Sequence, residues 1–482
     1  MAILQIRTMK SIAIALFSTL ISFSVPVMAN EPRSICPAVL ETEINAIALD
    51  PKFSRSRWGI MVESLDSGQV LYSLDSERFF LPASTIKLLT TVASIETLGP
   101  DFRIRTSVYS SGNGNVYIVG RGDPTITNTE LESLAQQLRD RGISQIDTLV
   151  AKDGYFPGMT VNPNWEWEDV QAGYGAPVNS LILHQNSLDL KLWPTENVGQ
   201  PLRVTWVRPE QGIGWQIDNQ TRTVSTTEPE FVAIGRSFTE PIIRVSGQLH
   251  IGAEPENVFA AVVNPGANFL EGFTTILSQQ EISVNRGILA NYSQRSEPEV
   301  AWVESPPLSE LVKTLNMQSN NVFAEAIVRT LGVQRPSLDA ASSGLNMIAE
   351  VLDNLGVSRS GYVLRDGSGL SRHNLATPQV LVATLRVMWN SPHWEIYQDA
   401  IPVAGVSGTL ERRFQNTPAQ GQVWAKTGTM RGMSSLAGYV KSESYSPLVF
   451  AIIVNQSNLS TQELREAIDR IVVLLSSLQP CD

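Results

Sequence analysis

The sequence predicts an α+β protein in which an antiparallel sheet flanked by helices is assembled from both ends of the chain around a β-rich insertion. Three observations predict it. Apolar residues at helical spacing and strand-like runs occupy the two ends of the chain, and short β-like runs broken by Gly, Pro and Asn fill roughly 100–295. The length, 482 residues, also exceeds what one hydrophobic core usually organises.

The elements follow in chain order. Cys36 to Leu49 reads as a helix, with Val39, Leu40, Ile44 and Ile47 at helical spacing. Strands at about Trp58–Glu63 and Val70–Ser73, joined by Asp66-Ser67-Gly68, predict a hairpin. Pro82 and Ala83 lead into an apolar helix, Thr85 to Leu98, stopped by Gly99-Pro100. In the insertion, β-like runs lie at Thr106–Tyr109, Val116–Val119, Leu188–Trp193, Val204–Val207, Thr223–Ser225, Phe231–Ile234, Ile242–Ser246 and Phe259–Val263, enough for two small modules. Helical patterning returns at Leu308–Met317, Val322–Leu331 and Leu338–Leu355. Three runs then read as adjacent antiparallel strands, Val423–Thr427, Ser435–Val440 and Leu448–Val454. A last helix, Thr461–Leu478, carries Leu464, Ile468, Ile471 and Leu475 on one face. The expected division is therefore 1–29 as a leader, 30–99 with 296–482 as one discontinuous domain, and 100–295 as the insertion.

The leader has its own signature. Arg7 and Lys10 precede an uncharged, mostly apolar stretch from Ser11 to Val27, and Val27-Met28-Ala29 places small residues where a signal peptidase cuts. Ser18, Ser22, Ser24 and Pro26 interrupt that stretch and argue against a retained membrane anchor. An exported, periplasmic protein with no stable span after signal removal is expected. Losing Arg7 and Lys10 takes the formal charge from −11 to −13, and no basic run offsets it, so a nucleic-acid partner is not expected. The two cysteines, Cys36 and Cys481, read in an exported chain as one disulfide joining its ends, and in a cytosolic one as two unrelated thiols. The four histidines have no metal-ligand spacing and no CxxC is present, so neither a metal nor another cofactor is expected.

Three short motifs carry chemistry: Ser84-Thr85-Ile86-Lys87, Ser319-Asn320-Asn321 and Lys426-Thr427-Gly428-Thr429. Singly, each reads as a helix-starting serine, a surface loop or a strand-end turn. Their order and settings change that reading, because the first opens an apolar helix, the second lies between two helices and the third ends a strand. A serine hydroxyl is a weak nucleophile and needs a base. Positions i and i+3 share a helix face, which brings Lys87 to Ser84. A lysine acts as a base only when burial or a second cation disfavours its ammonium, and Lys426 offers that cation as well as a partner for a substrate carboxylate. Ser319 offers a hydroxyl that can relay a proton to a leaving amine, and Asn321 an amide that can hold Lys87 and substrate backbone.

This motif set resembles that of penicillin-binding proteins and class A β-lactamases. The whole chain is similar to the D-alanyl-D-alanine carboxypeptidase/endopeptidase family, whose transpeptidase-like domain carries a large insertion after the active serine. Further residues carry the likeness: Tyr117 to Pro124, Asp366-Gly367-Ser368-Gly369-Leu370-Ser371-Arg372 and Gly405 to Leu410. The gap from Lys87 to Ser319 is far longer than a simple β-lactamase has. The resemblance implies that Ser84 is acylated by peptidoglycan stem peptides ending in D-Ala-D-Ala and by β-lactams, that Lys87 takes its proton, and that Ser319 passes it to departing D-alanine. It further implies that Asn321 orients the acyl chain, and that Lys426, Thr427 and Thr429 receive the terminal carboxylate, with Gly428 between them. Asn320 departs from the pattern, since many relatives carry Asp there. Two other readings stand beside this one: a β-lactamase-like hydrolase, and a non-catalytic cell-wall binding protein on the same fold.

Overall fold

The computed structural model describes residues 35–291, 297–442 and 444–481. The leader expected at 1–29 lies outside the described residues. Five strands from both ends of the chain form one antiparallel sheet, in the order 423–430, 433–440, 448–455, 57–64 and 70–74. Arg57–Ser64 pairs with Leu448–Asn455 along its full length, so the first and last thirds of the chain meet edge to edge. Every residue of Met433–Val440 and Leu448–Asn455 is buried, which explains why both runs are mostly apolar instead of alternating.

Helices cover both faces. Pro37–Ala48 and Thr461–Ser476 pack on one, sharing a core with Leu40, Ile44, Ile468 and Ile471. On the other, Lys87–Leu98, Leu308–Met317, Asn321–Gly332, Ala340–Asn354 and Pro378–Trp389 surround a core that includes Leu89, Val92, Leu315, Ile327 and Leu385. Cys36 and Cys481 are joined by a disulfide across 445 positions. It ties down the ends of the two helices that share the first core. The α+β class expected from the sequence is borne out.

The segment between the two ends folds around two further cores. Strands 105–110, 115–119, 145–152, 283–290 and 299–304 make a mixed sheet in which 145–152 runs parallel to both its neighbours. The helices Asn128–Asp140 and Pro265–Gln279 pack against it. Nested within, strands 187–193, 203–206 and 256–261 form one three-stranded sheet and 216–224, 231–236 and 242–250 another, and the two share Leu190, Leu192, Ile243 and Val245.

The β-rich reading of 100–295 names only strands there and passes over two helices. Both were written locally: Thr127 and Glu130 form a reciprocal capping box, and Asn264 caps a helix with Pro265 at its first position. The mixed sheet also runs past residue 295. Glu299–Glu304 pairs antiparallel with Arg105–Ser110, a pairing across nearly two hundred residues that no local pattern announces.

Candidate active site

The serine of the first motif sits on a bend. Ala83 holds a left-handed backbone (φ 48°), and Ala83–Ile86 is a 3-10 turn leading straight into the Lys87–Leu98 helix. Two hydroxyls fix the approach to it, because Thr85 Oγ1 and Ser435 Oγ both donate to the Pro82 carbonyl at 2.7 Å. The third motif lies alongside in strand Val423–Met430. Its Gly428 has no side chain for a reason, since a Cβ there would stand 2.7 Å from the Pro82 carbonyl oxygen and crowd Ser435. The second motif turns between two helices. Ser319 is left-handed (φ 56°), and Asn320 caps the Asn321–Gly332 helix by accepting from the Phe323 N–H at 3.2 Å.

The fold brings all three motifs together. Lys87 is wholly buried, and its Nζ has three partners: Ser84 Oγ at 2.9 Å, Asn321 Oδ1 at 2.7 Å and the Ser368 carbonyl oxygen at 2.5 Å. The Asn321 amide donates its N–H to the Tyr174 carbonyl (2.9 Å), which turns its oxygen towards Lys87. Two partners are pure acceptors and the third is a hydroxyl. An ammonium can donate to all three, and a neutral amine can donate to Asn321 and Ser368 while its lone pair faces the Ser84 hydroxyl, so the contacts serve both protonation states. Burial pushes the Lys87 pKa down from 10.5 to about 7, against the pull of the Asp366 and Glu325 carboxylates.

Lys426, also wholly buried, donates to Ser319 Oγ and to the Thr427 carbonyl, each at 2.9 Å. Burial, and after it the proximity of Lys87, hold its pKa well below the ordinary lysine value. Thr427 Oγ1 donates to Thr409 Oγ1 at 2.9 Å, and Thr429 Oγ1 accepts from Arg465 Nη2 at 3.2 Å. Ser84, Ser319, Thr427 and Thr429 open onto one cleft of about 340 Å³.

A buried polar layer supports the Lys87–Leu98 helix from below. Glu325 Oε1 accepts the backbone N–H groups of Gly367 (2.8 Å) and Ser368 (3.0 Å), and Arg329 pairs with Glu325 at 3.2 Å. Asp366 accepts from Gly369 N–H, Ser371 N–H, Asn374 Nδ2 and Trp165 Nε1. These bonds set the loop that presents the Ser368 carbonyl to Lys87. Glu325, Trp165, Tyr174 and Arg465 escaped the sequence reading. For Glu325 a signal existed: an i, i+4 Glu–Arg pair inside an otherwise apolar helix. Trp165 and Tyr174 lie in the 100–295 segment, and nothing local ties them to Asp366 and Asn321, 201 and 147 positions away.

A serine at a helix start, a buried amine against its hydroxyl and a second Ser–Lys pair across a cleft define the class of lysine-assisted serine acyl-transfer enzymes. The particular family follows from comparison. Residues 40–478 match the D-Ala-D-Ala carboxypeptidase 3 (S13) family, and the chain belongs to it. It is 32% identical over 440 residues to the D-alanyl-D-alanine carboxypeptidase of Actinomadura sp. (strain R39), covering 86% of this chain and 81% of the relative. A second relative, the penicillin-sensitive carboxypeptidase A of Dictyostelium discoideum, is 26% identical over 459 residues and is covered, like this chain, to 87%. The fold matches the crystal structure of penicillin binding protein 4 (dacB) from Haemophilus influenzae with a TM-score of 0.77 at 24% identity, over 90% of this chain and 98% of that one. The family resemblance drawn from the motifs is borne out, and with it a serine-type D-Ala-D-Ala carboxypeptidase.

Proposed function

We propose that the protein is a penicillin-sensitive D-alanyl-D-alanine carboxypeptidase of the bacterial envelope, working through an acyl-enzyme at Ser84. The observation that carries this reading is the 2.9 Å contact between Ser84 Oγ and the Nζ of Lys87, a lysine whose complete burial disfavours its ammonium. Lys87 removes the Ser84 proton as Oγ bonds to the carbonyl carbon of the penultimate D-alanine. The oxyanion is received by the backbone N–H groups of Ser84 and Thr429, a kind of hole typically worth about 3 kcal/mol of barrier per donor. The C–N bond then breaks, and the proton passes from Lys87 through Ser319, held by Lys426, to the departing amine. Asn321 orients the acyl chain, and Lys426, Thr427 and Thr429, with Gly428 letting the strand approach, receive the carboxylate beside the scissile amide. Water takes the place of the leaving amine and releases the acyl group.

Peptidoglycan stem peptides ending in D-Ala-D-Ala are the substrates on this reading, cross-linked peptides are a second class, and β-lactams acylate the same serine. The name of the Dictyostelium relative supports penicillin sensitivity. The Cys36–Cys481 disulfide favours an oxidising compartment, in keeping with export to the periplasm after loss of 1–29. The catalytic unit is inferred to come from the two ends of the chain, with the segment beginning near residue 100 as a two-module insertion. Mass spectrometry of peptidoglycan fragments after digestion tests the whole proposal. Loss of terminal D-alanine is expected in wild type and not in S84A; unchanged fragments with wild-type enzyme would overturn it.

A further inference from the structure

Two arginines that line the cleft, Arg413 and Arg465, have no part in the reading above. Arg465 projects from the first turns of the Thr461–Ser476 helix, where Ser460 and Glu463 form a reciprocal cap and Leu464 and Ile468 anchor the inner face to the core. Its guanidinium donates to Thr429 Oγ1 at 3.2 Å and lines the same cleft as Ser84, Ser319 and Thr427.

The charges around that cleft differ in kind. Lys87 and Lys426 are buried amines whose ammonium forms are disfavoured. Arg413 is held by a two-pronged ion pair with Asp469. Among the described residues no carboxylate lies within ion-pair distance of Arg465. Arginine keeps its charge under all ordinary conditions, so Arg465 is a permanent cation at this end of the cleft, attracted at longer range by Asp469 but with the Asp469 carboxylate hydrogen-bonded to Arg413. Its bond to Thr429 also has a direction. Because the Thr429 oxygen accepts from Arg465, its own O–H is free to donate outwards, into the space where a leaving-group carboxylate would lie.

We propose that Arg465 is a specificity-determining residue that selects substrates bearing a free carboxylate on the departing side of the scissile amide, directly and through Thr429. This rests on the acylation site of the preceding subsection and deepens it. Both terminal D-alanine and a cross-linking residue with a free α-carboxylate meet the requirement, whereas amidation of that carboxylate removes it.

The test compares hydrolysis of diacetyl-L-Lys-D-Ala-D-Ala with that of its C-terminal carboxamide by wild type, R465A and R465K. Wild-type turnover of the acid, with stoichiometric penicillin labelling at Ser84, checks the underlying reading separately. For R465A, kcat/KM on the acid should fall about tenfold to a hundredfold, the range for losing a charged hydrogen bond. The carboxamide rate should barely change, so the acid-over-amide preference collapses, and R465K should recover part of it. An unchanged preference in R465A, or an equal loss on both substrates, overturns the inference while leaving the acylation site standing. Should R465A fold poorly by melting, R465Q is judged by the same ratio.

Discussion

Lys87 Nζ and the Ser368 carbonyl oxygen lie 2.5 Å apart, and this contact joins the Lys87–Leu98 helix to a loop 281 residues further along the chain. A carbonyl that close favours the ammonium, as do the Asp366 and Glu325 carboxylates, but burial outweighs them and brings the Lys87 pKa to about 7. The folded value lies below the unfolded one, so the native protein disfavours the ammonium, and the amine becomes a competent base as pH rises through 7. The acylation rate constant for penicillin should therefore rise across a single ionisation near pH 7 and level off above it. A rate that is flat from pH 5 to 9 would exclude Lys87 as the proton acceptor.

Ser84→Ala should leave the fold intact, because the side chain makes one described hydrogen bond, to Lys87. Its carboxypeptidase activity should drop at least about a thousandfold, the scale seen when a covalent nucleophile is removed. Intact-mass measurement with penicillin should show an adduct on wild type and none on the variant.

Glu325 is fully buried between Arg329 and the Gly367–Ser368 backbone. Glu325→Ala strands the Arg329 charge and two backbone N–H groups, and such losses typically cost about 3–5 kcal/mol. Urea unfolding should register that loss. Because the same loop presents Ser368 to Lys87, the surviving folded enzyme should also acylate more slowly. Glu325→Gln, which keeps an oxygen acceptor, should recover part of both.

Gly369 sits at φ +81°, and a Cβ there would collide with the Ala83 carbonyl oxygen, immediately before Ser84. Gly369→Ala must either strain this loop or displace the bend that carries Ser84. Penicillin acylation should slow by an order of magnitude or more, together with a lower melting temperature, whereas Gly68→Ala, at a left-handed position with open space, should affect stability alone.

The Cys36–Cys481 bond closes nearly the whole chain. Removing such a link typically costs about 2–5 kcal/mol. C36S, or the wild type under reducing conditions, should melt several degrees lower by calorimetry. Labelling of Ser84 at 25 °C should be retained, since the disulfide lies at the far ends of the Pro37–Ala48 and Thr461–Ser476 helices.

The chain's own residues determined the catalytic elements and most of their limits. Apolar periodicity marks Lys87–Leu98, Leu308–Met317 and Thr461–Ser476, and three short motifs mark what the site contains. Periodicity reports a local face, and a motif reports residue types at fixed local spacing, so both survive without knowledge of the rest of the molecule. The partners of Lys87 do not. Which carbonyl meets its amine, which carboxylate orders that carbonyl's loop, and why its pKa falls depend on burial among segments hundreds of residues apart. The same holds for Arg465, an ordinary exposed-face arginine in the sequence, which becomes a cleft cation only because Thr461–Ser476 packs beside the strand carrying Thr429. Desolvation and convergence are properties of the packed whole, and tertiary structure alone decided them.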